Sequence, residues 1–247
     1  MRADATTQLE MARRGRVAIL TLTREGHGNR LTVRMAEQLA EALEAVRMDP
    51  EIGACVITGH GDVFCLGGDF QGVEPTAGGR KQFAEALVRM DQTMAQLGKP
   101  LVAAVNGDAH AGGFGVVISC DLAVVSAAAT FGLPEAAKGL FPFIATAIVK
   151  DALPKKVFFD LVYNARLLNA QEARELRLVN EVVPSSDVLD RAIAIAERAS
   201  SYNAEIVKLG RDLYYDLRSA KPKDAFAQAG VALIAALAER QRSSDSN

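Results

Sequence analysis

Two glycine-rich segments hold the residues of this chain most suited to chemistry. Asn106-Gly-Asp-Ala-His-Ala-Gly-Gly-Phe-Gly115 follows the apolar run Leu101–Val105, and Phe64-Cys-Leu-Gly-Gly-Asp69 follows the apolar run Ala54–Thr58. Glycines at a strand exit let the backbone approach a ligand closely and offer it bare N–H groups. Two such loops on neighbouring parallel strands can aim two amides at one oxygen, which is what an oxyanion hole requires. The plainer reading is that these glycines only permit tight turns.

The rest of the chain limits what such a site can serve. With 247 residues and 49% apolar content it can bury one substantial core. A net charge of -2 gives no sign of nucleic acid or an anionic membrane as partner, although a local positive patch for a phosphorylated small molecule remains open. Cys55, Cys65 and Cys120 are odd in number and sit in or beside apolar runs, so buried free thiols in a reducing compartment are expected. The opening MRADATTQLE lacks the apolar stretch of a signal peptide, no run is long enough to span a membrane, and a cytoplasmic location is expected. His27, His60 and His110 lie apart, and no cysteine or aspartate set has ligand spacing, so no metal is expected. Gly67–Gly72 lacks the trailing Gly-Lys-Ser/Thr of a phosphate loop.

The elements that must position the two loops follow from periodicity. Arg16–Leu22 and Ala54–Thr58 read as strands, the latter apolar on both faces like a strand covered by helices. Leu31, Met35, Leu39, Leu43 and Val46 mark a helix, as do Phe83, Leu87, Met90, Met94 and Leu97. Gly67–Arg80 reads as a long loop, Leu101–Val105 as a strand, and Phe114–Cys120 as a helix start feeding the strand Leu122–Val125. This rhythm predicts right-handed crossovers on one mostly parallel sheet. Phe131–Phe143 reads as a loop. Helices are predicted over Ile144–Asp151, Pro154–Tyr163 and Asn169–Leu176, the last opened by a capping box of Asn169 and Glu172. A short strand, Leu178–Val183, precedes helices over Val188–Ala199, Ala204–Arg218 and Lys223–Arg240.

With the loops placed, the chain resembles the crotonase superfamily, the enoyl-CoA hydratase/isomerase family. VFCLGGD (63–69) is similar to the family's AFCAGAD loop, and KPLVAAVNGDAHAGGFGVVISCDLAVVSAAATFGLPE (99–135) is similar to KPVIAAVNGxAxGGGxELxxxCDxxxAxxxAxFxxPE. LNAQEARELRLVNEVVP (168–184) is similar to xxAxEAxxxGLVxxVVP. The resemblance implies an α/β crotonase (ClpP/crotonase-like) fold of repeated β-β-α units in a spiral. It further implies a core over residues 12–190 and C-terminal helices over 191–240 that pack a homotrimer or dimer of trimers. It implies an acyl-CoA thioester substrate, with no cofactor beyond that coenzyme A moiety, and oxyanion amides on Gly68 and Gly112.

Hydratases of the family carry two glutamates. The second matches Glu135, whereas the position of the first is Gly115. A single carboxylate suits proton shuttling between two carbons, so enoyl-CoA isomerisation through Glu135 is the expected reaction. Hydration, acyl-CoA decarboxylation or thioester hydrolysis, and a catalytically silent acyl-CoA-binding homologue are the alternatives. His110 stands where the family has an aliphatic residue, either as a second acid/base or packed against the next helix; Asp108 is a weaker candidate. Arg24 and Arg30 supply charge for the coenzyme's phosphates or are ordinary surface residues, and Gly67, Asp69 and Phe70 are expected beside the coenzyme. Phe141 and Phe143 replace small residues of the family, either reshaping an apolar acyl pocket or serving packing alone. The family's usual final motif, which provides a lid over the coenzyme, has no counterpart.

Overall fold

The structure, a computed structural model, describes residues 7–218 and 220–245. A hairpin of β1 (Leu9–Arg14) and β2 (Val17–Leu22), turned at Gly15, leads to α1 (Val33–Met48), whose N-terminus is capped by the Thr32 hydroxyl. Three β-β units follow: β3 (Ala54–Gly59) with β4 (Val63–Cys65), then α2 (Ala77–Ala95); β5 (Leu101–Val105) with β6 (Asp108–His110), then α3 (Gly112–Ser119); and β7 (Leu122–Ser126) with β8 (Thr130–Gly132). The chain continues through α4 (Phe143–Val149), α5 (Lys155–Tyr163), β9 (Leu167–Asn169), α6 (Ala170–Glu175) and β10 (Glu181–Val183). It closes with α7 (Val188–Ser200), α8 (Ala204–Leu217) and α9 (Pro222–Asp245).

The first strand of each unit enters a six-stranded sheet, order β1-β2-β3-β5-β7-β10, and the second enters a four-stranded sheet, order β4-β6-β8-β9. This repeated β-β-α winding is the crotonase fold. The expectation of one mostly parallel sheet is therefore corrected to two sheets. Three-residue strands are too short to leave a periodic trace in sequence. Phe131–Phe143, read as a loop, likewise contributes β8 and the first residue of α4.

Alternation along the large sheet divides two apolar layers. Cys55 and Ile57 face the layer shared with α1 and α2, while Ala54 and Val56 meet Val188, Ala192, Ile193 and Ala196 of α7. The division expected at residues 190/191 thus falls inside α7, a helix that covers the sheet. The capping box of α6 forms as its spacing predicts, the Glu172 amide donating to Asn169 Oδ1 and the Asn169 amide to Glu172 Oε2.

Buried Arg211 ties α8 to this frame. Its Nε donates to the Asp121 carboxylate at 2.9 Å, Nη1 to the Ala95 carbonyl at 2.7 Å and Nη2 to the Met94 carbonyl at 2.8 Å. Removing the guanidinium strands an acid and two carbonyls. Breaking a buried pair typically costs about 3–5 kcal/mol, and partial exposure of Asp121 places the loss at the lower end. Arg211→Met is expected to lower the unfolding free energy by about 3 kcal/mol, read from urea denaturation.

Candidate active site

The first loop is held as a strand-like segment. The Leu31 amide donates to the Gly67 carbonyl at 2.9 Å, and the Asp69 amide to the Leu31 carbonyl at 2.8 Å. In extended backbone successive amides point to opposite sides. The Gly68 N–H between them is turned away from Leu31, with no acceptor among the described residues.

The second loop presents its amide from the start of α3. The Ala111 amide donates to the Gly132 carbonyl at 2.8 Å, fastening the turn to β8, and the Gly115 amide closes the first helical bond onto the Ala111 carbonyl. The Gly112 N–H is one of the donors a helix start leaves unpaired, at the positive end of the helix dipole. The two loops touch: a Cβ built on Gly112 would lie 3.8 Å from the Gly68 nitrogen.

This contact requires glycine. Gly67 has φ +88°, and a Cβ there would lie 2.5 Å from the Ala111 methyl and 3.0 Å from the Gly112 nitrogen. A Cβ on Gly113 would lie 2.0 Å from the Cys65 carbonyl oxygen. Ala111 also sits at positive φ (+54°), an uncommon backbone for a residue with a side chain, held by its bond to Gly132.

Arg24, Arg30 and Asp69 come together around the first loop. Arg24 Nη2 donates to Asp69 Oδ2 at 2.9 Å and Nη1 to the Arg30 carbonyl at 2.8 Å, while Arg30 Nη1 donates to the Leu66 carbonyl at 2.6 Å. Beneath them, fully buried Asn29 accepts from the Arg24 amide and donates to the His60 and Val63 carbonyls. Phe70 is half-exposed and meets Phe83 edge-on, with ring centroids 5.5 Å apart beside Gly68. Phe141 packs against the core and meets Phe143, whose ring is exposed at the start of α4.

Glu135 is buried three residues beyond Gly132, the residue that holds the second loop. Its Oε2 has no hydrogen-bond partner among the described residues. Burial pushes its carboxyl pKa up, opposed by its own backbone amide and by Lys138. A carboxylate made more basic in this way is better suited to accept a proton and return it.

His110 is directed elsewhere. Its Nε2 lies 2.8 Å from the Thr130 hydroxyl, which donates to Asp108 Oδ1 at 2.7 Å. The hydroxyl hydrogen being committed to Asp108, His110 Nε2 is the donor to Thr130. Burial lowers the His110 pKa, favouring the neutral ring. His110 and Asp108 are thus joined through Thr130, with no hydrogen bond from either to Glu135.

Gly115 lies one turn into α3 from Gly112. The nearest atoms to a Cβ there would be Ile148 Cδ1 at 3.5 Å, Ala145 Cβ at 3.9 Å and Ala145 Cα at 4.0 Å, all of α4. Among the described residues the other partnerless buried carboxyl oxygen is on Asp91 of α2. It borders a cavity of about 700 Å³ at the far end of α3. Sequence reasoning passed over Asp91 and Asn29, since only the packing of distant elements buries them. No group of three or more metal-ligating side chains stands together among the described residues.

Two unpaired amides on touching loops, in a chain that also buries a partnerless carboxyl oxygen, suit the class of enzymes that stabilise anions formed on a carbonyl oxygen. The comparisons with known proteins narrow that class. The enoyl-CoA hydratase/isomerase family model matches residues 12–240, and the chain belongs to this family. It is 33% identical over 223 residues to a putative enoyl-CoA hydratase of Thermus thermophilus, covering 89% of this chain and 88% of that protein. It is 32% identical to the 2,3-dehydroadipyl-CoA hydratase of Escherichia coli, over 80% and 77% of the two chains. The crystal structure of an enoyl-CoA hydratase from Mycobacterium smegmatis superposes with a TM-score of 0.88 at 27% identity, covering 93% of this chain and 90% of that one. The protein is an enzyme acting on acyl-CoA thioesters.

The raised pKa of Glu135 has a sign that stability can report. Its folded form binds the proton more tightly than the unfolded chain, so the stability this carboxyl contributes is present in acid and is lost as pH rises through its raised folded value. Glu135→Gln removes that loss. The variant is expected to melt above the parent at pH 8, with the gap closing towards pH 4, as scanning calorimetry would show.

Proposed function

We propose that the protein hydrates an enoyl-CoA, with Glu135 as its single acid/base and the Gly68 and Gly112 amides as its oxyanion hole. The observation that carries this reading is the partnerless, buried Oε2 of Glu135 on the same scaffold as two partnerless amides. The hydratase names of both sequence relatives support water addition over other enolate chemistry.

In this mechanism a water oxygen bonds to C3 while its proton passes to the Glu135 carboxylate. The C2–C3 π pair moves towards the thioester, and the negative charge gathers on the carbonyl oxygen between the two amides. Protonated Glu135 then returns its proton to C2, restoring the thioester and the carboxylate. Each amide supplies about 3 kcal/mol at the anionic stage. Arg24 and Arg30, which already hold the loops, border the path proposed for the coenzyme's phosphates.

Gly115 favours a second reading. Where the resemblance implies a second glutamate, this chain has a glycine, with Ile148 and Ala145 nearest to a Cβ built there. One carboxylate is sufficient to carry a proton from C4 to C2 of a dienolate, which is enoyl-CoA isomerisation.

Glu135→Gln is expected to lower solvent exchange of thioester α-protons by at least about 100-fold. Full exchange in the variant overturns the assignment of the base. In ¹⁸O water, label at C3 of crotonyl-CoA supports hydration, whereas conversion of a 3-enoyl-CoA without label supports isomerisation. No exchange with any thioester points to hydrolysis or to a binding-only homologue.

Self-assembly is also proposed, as a trimer or a dimer of trimers. Phe226, Val231, Leu233, Ile234 and Leu237 leave large apolar area exposed along α9, more than a lone soluble chain usually shows. Sedimentation velocity at micromolar concentration is expected to give three or six copies, and a stable monomer contradicts the proposal.

A further inference from the structure

The cavity at the far end of α3 is not explained by the mechanism above. Its walls are largely apolar, with Ile118, Ala147, Ile148 and Val207 among them, and the Asp91 carboxyl borders it. Asp91 Oδ1 has neither a hydrogen-bond partner nor surface open to water, so Oδ2, which no described residue bonds, is the oxygen that can meet a ligand in the cavity. The cations and the Tyr215 hydroxyl there are already engaged, while the Ser119 and Tyr214 hydroxyls are not, among the described residues. Arg211 is bonded to Asp121 and to two carbonyls, the Tyr215 hydroxyl to Asp121 and the Ser119 carbonyl, and Arg218 to Asp151. A buried acceptor without a donor costs stability unless something else supplies one.

The cavity is aligned with the oxyanion hole. Gly112, Gly115 and Ser119 stand at i, i+3 and i+7, on one face of α3. The axial distance from Gly112 to Ser119 is about 10 Å. Ser119 borders the cavity, and Ile148 both borders it and covers Gly115. A glutamate at position 115 would project from this face. Glycine leaves the end of Ile148 and the Ala145 methyl as the nearest groups over this face.

We infer that the acyl chain passes over Gly115 into this cavity, and that Asp91 recognises a hydroxyl at its far end. The substrate class is then a medium-chain acyl-CoA carrying an ω-hydroxyl. The inference rests on the acyl-CoA reading of the hole but not on which reaction follows. Asp91 is a specificity residue, remote from the reacting carbons. A neutral hydroxyl suits it: burial lifts the carboxyl pKa to about 7, and the cations of the cavity are already paired. The apolar walls accept the methylene chain.

The test is calorimetric titration with octanoyl-CoA, its ω-hydroxy form and butanoyl-CoA, all saturated and so readable without turnover. The native protein is expected to bind the ω-hydroxy form about tenfold more tightly than octanoyl-CoA, since pairing a buried acceptor is worth that order of affinity. Asp91→Leu reverses the preference, while Asp91→Asn retains part of it. Ile148→Trp, which narrows the passage at Gly115, is expected to weaken octanoyl-CoA at least tenfold and to spare butanoyl-CoA. Equal affinity ratios in the native protein and Asp91→Leu overturn the recognition, and unchanged octanoyl-CoA binding in Ile148→Trp overturns the path. Measured α-proton exchange with no hydroxyl preference fails this inference alone. The expected affinity ratios without exchange fail only the proposed reaction.

Discussion

The site depends on keeping two main-chain N–H groups unpaired inside a folded protein. Nearly every buried amide finds an acceptor, and one left without costs about 1–3 kcal/mol. Here two stand side by side, and the surrounding structure exists to keep them so. Leu31 takes the hydrogen bonds on either side of Gly68 and leaves the middle amide facing the other way. Gly132 takes the Ala111 amide, so the next one opens the helix without a partner. The two-sheet winding brings these events together, because β4, β6 and β8 of the small sheet follow directly from β3, β5 and β7 of the large one.

Polar contacts behind the site convert that geometry into rigidity. Asn29 has no access to water, and its three hydrogen bonds bind the segment after β2 to the turn before β4. The Arg24–Asp69 pair is mostly shielded from solvent and joins the same segment to the residue after Gly68. Anion stabilisation of this kind works because the donors are fixed before charge develops, and flexible donors would have to reorganise first. Burial of a different segment leaves the Glu135 carboxyl poorly solvated and raises its basicity.

Much of this was legible in the residues. The glycine pairs stood out as the backbone's approach to a ligand. The apolar spacing from Leu31 to Val46 foretold α1, and Asn169 with Glu172 foretold the start of α6. What stayed hidden depends on partners far away in the chain. β1 is exposed along nearly all its length and shows no apolar alternation, so its pairing with β2 is invisible until the hairpin forms. β4, β6, β8 and β9 have three residues each, too few for a period to register. Asp91 reads as one more charge on a long helix, and the cavity it borders is lined in part by α8, more than a hundred residues later. His110 read as either an acid/base or a packing residue, and only the fold supplies the Thr130 hydroxyl that engages it.

The hole is made of peptide groups, and this bears on how such a protein changes over time. A side-chain mutation can remove a carboxylate in one step, but no codon change deletes an amide hydrogen except one to proline. The amides proposed to hold the anion can therefore be displaced only through the glycine-dependent contact that places them, while a proton-moving carboxylate is lost by changing its own side chain. Position 115 illustrates the exposed kind, since glycine there alters the proton inventory and leaves Gly112 undisturbed. New reactions can thus be tried without first giving up the old means of activating the thioester.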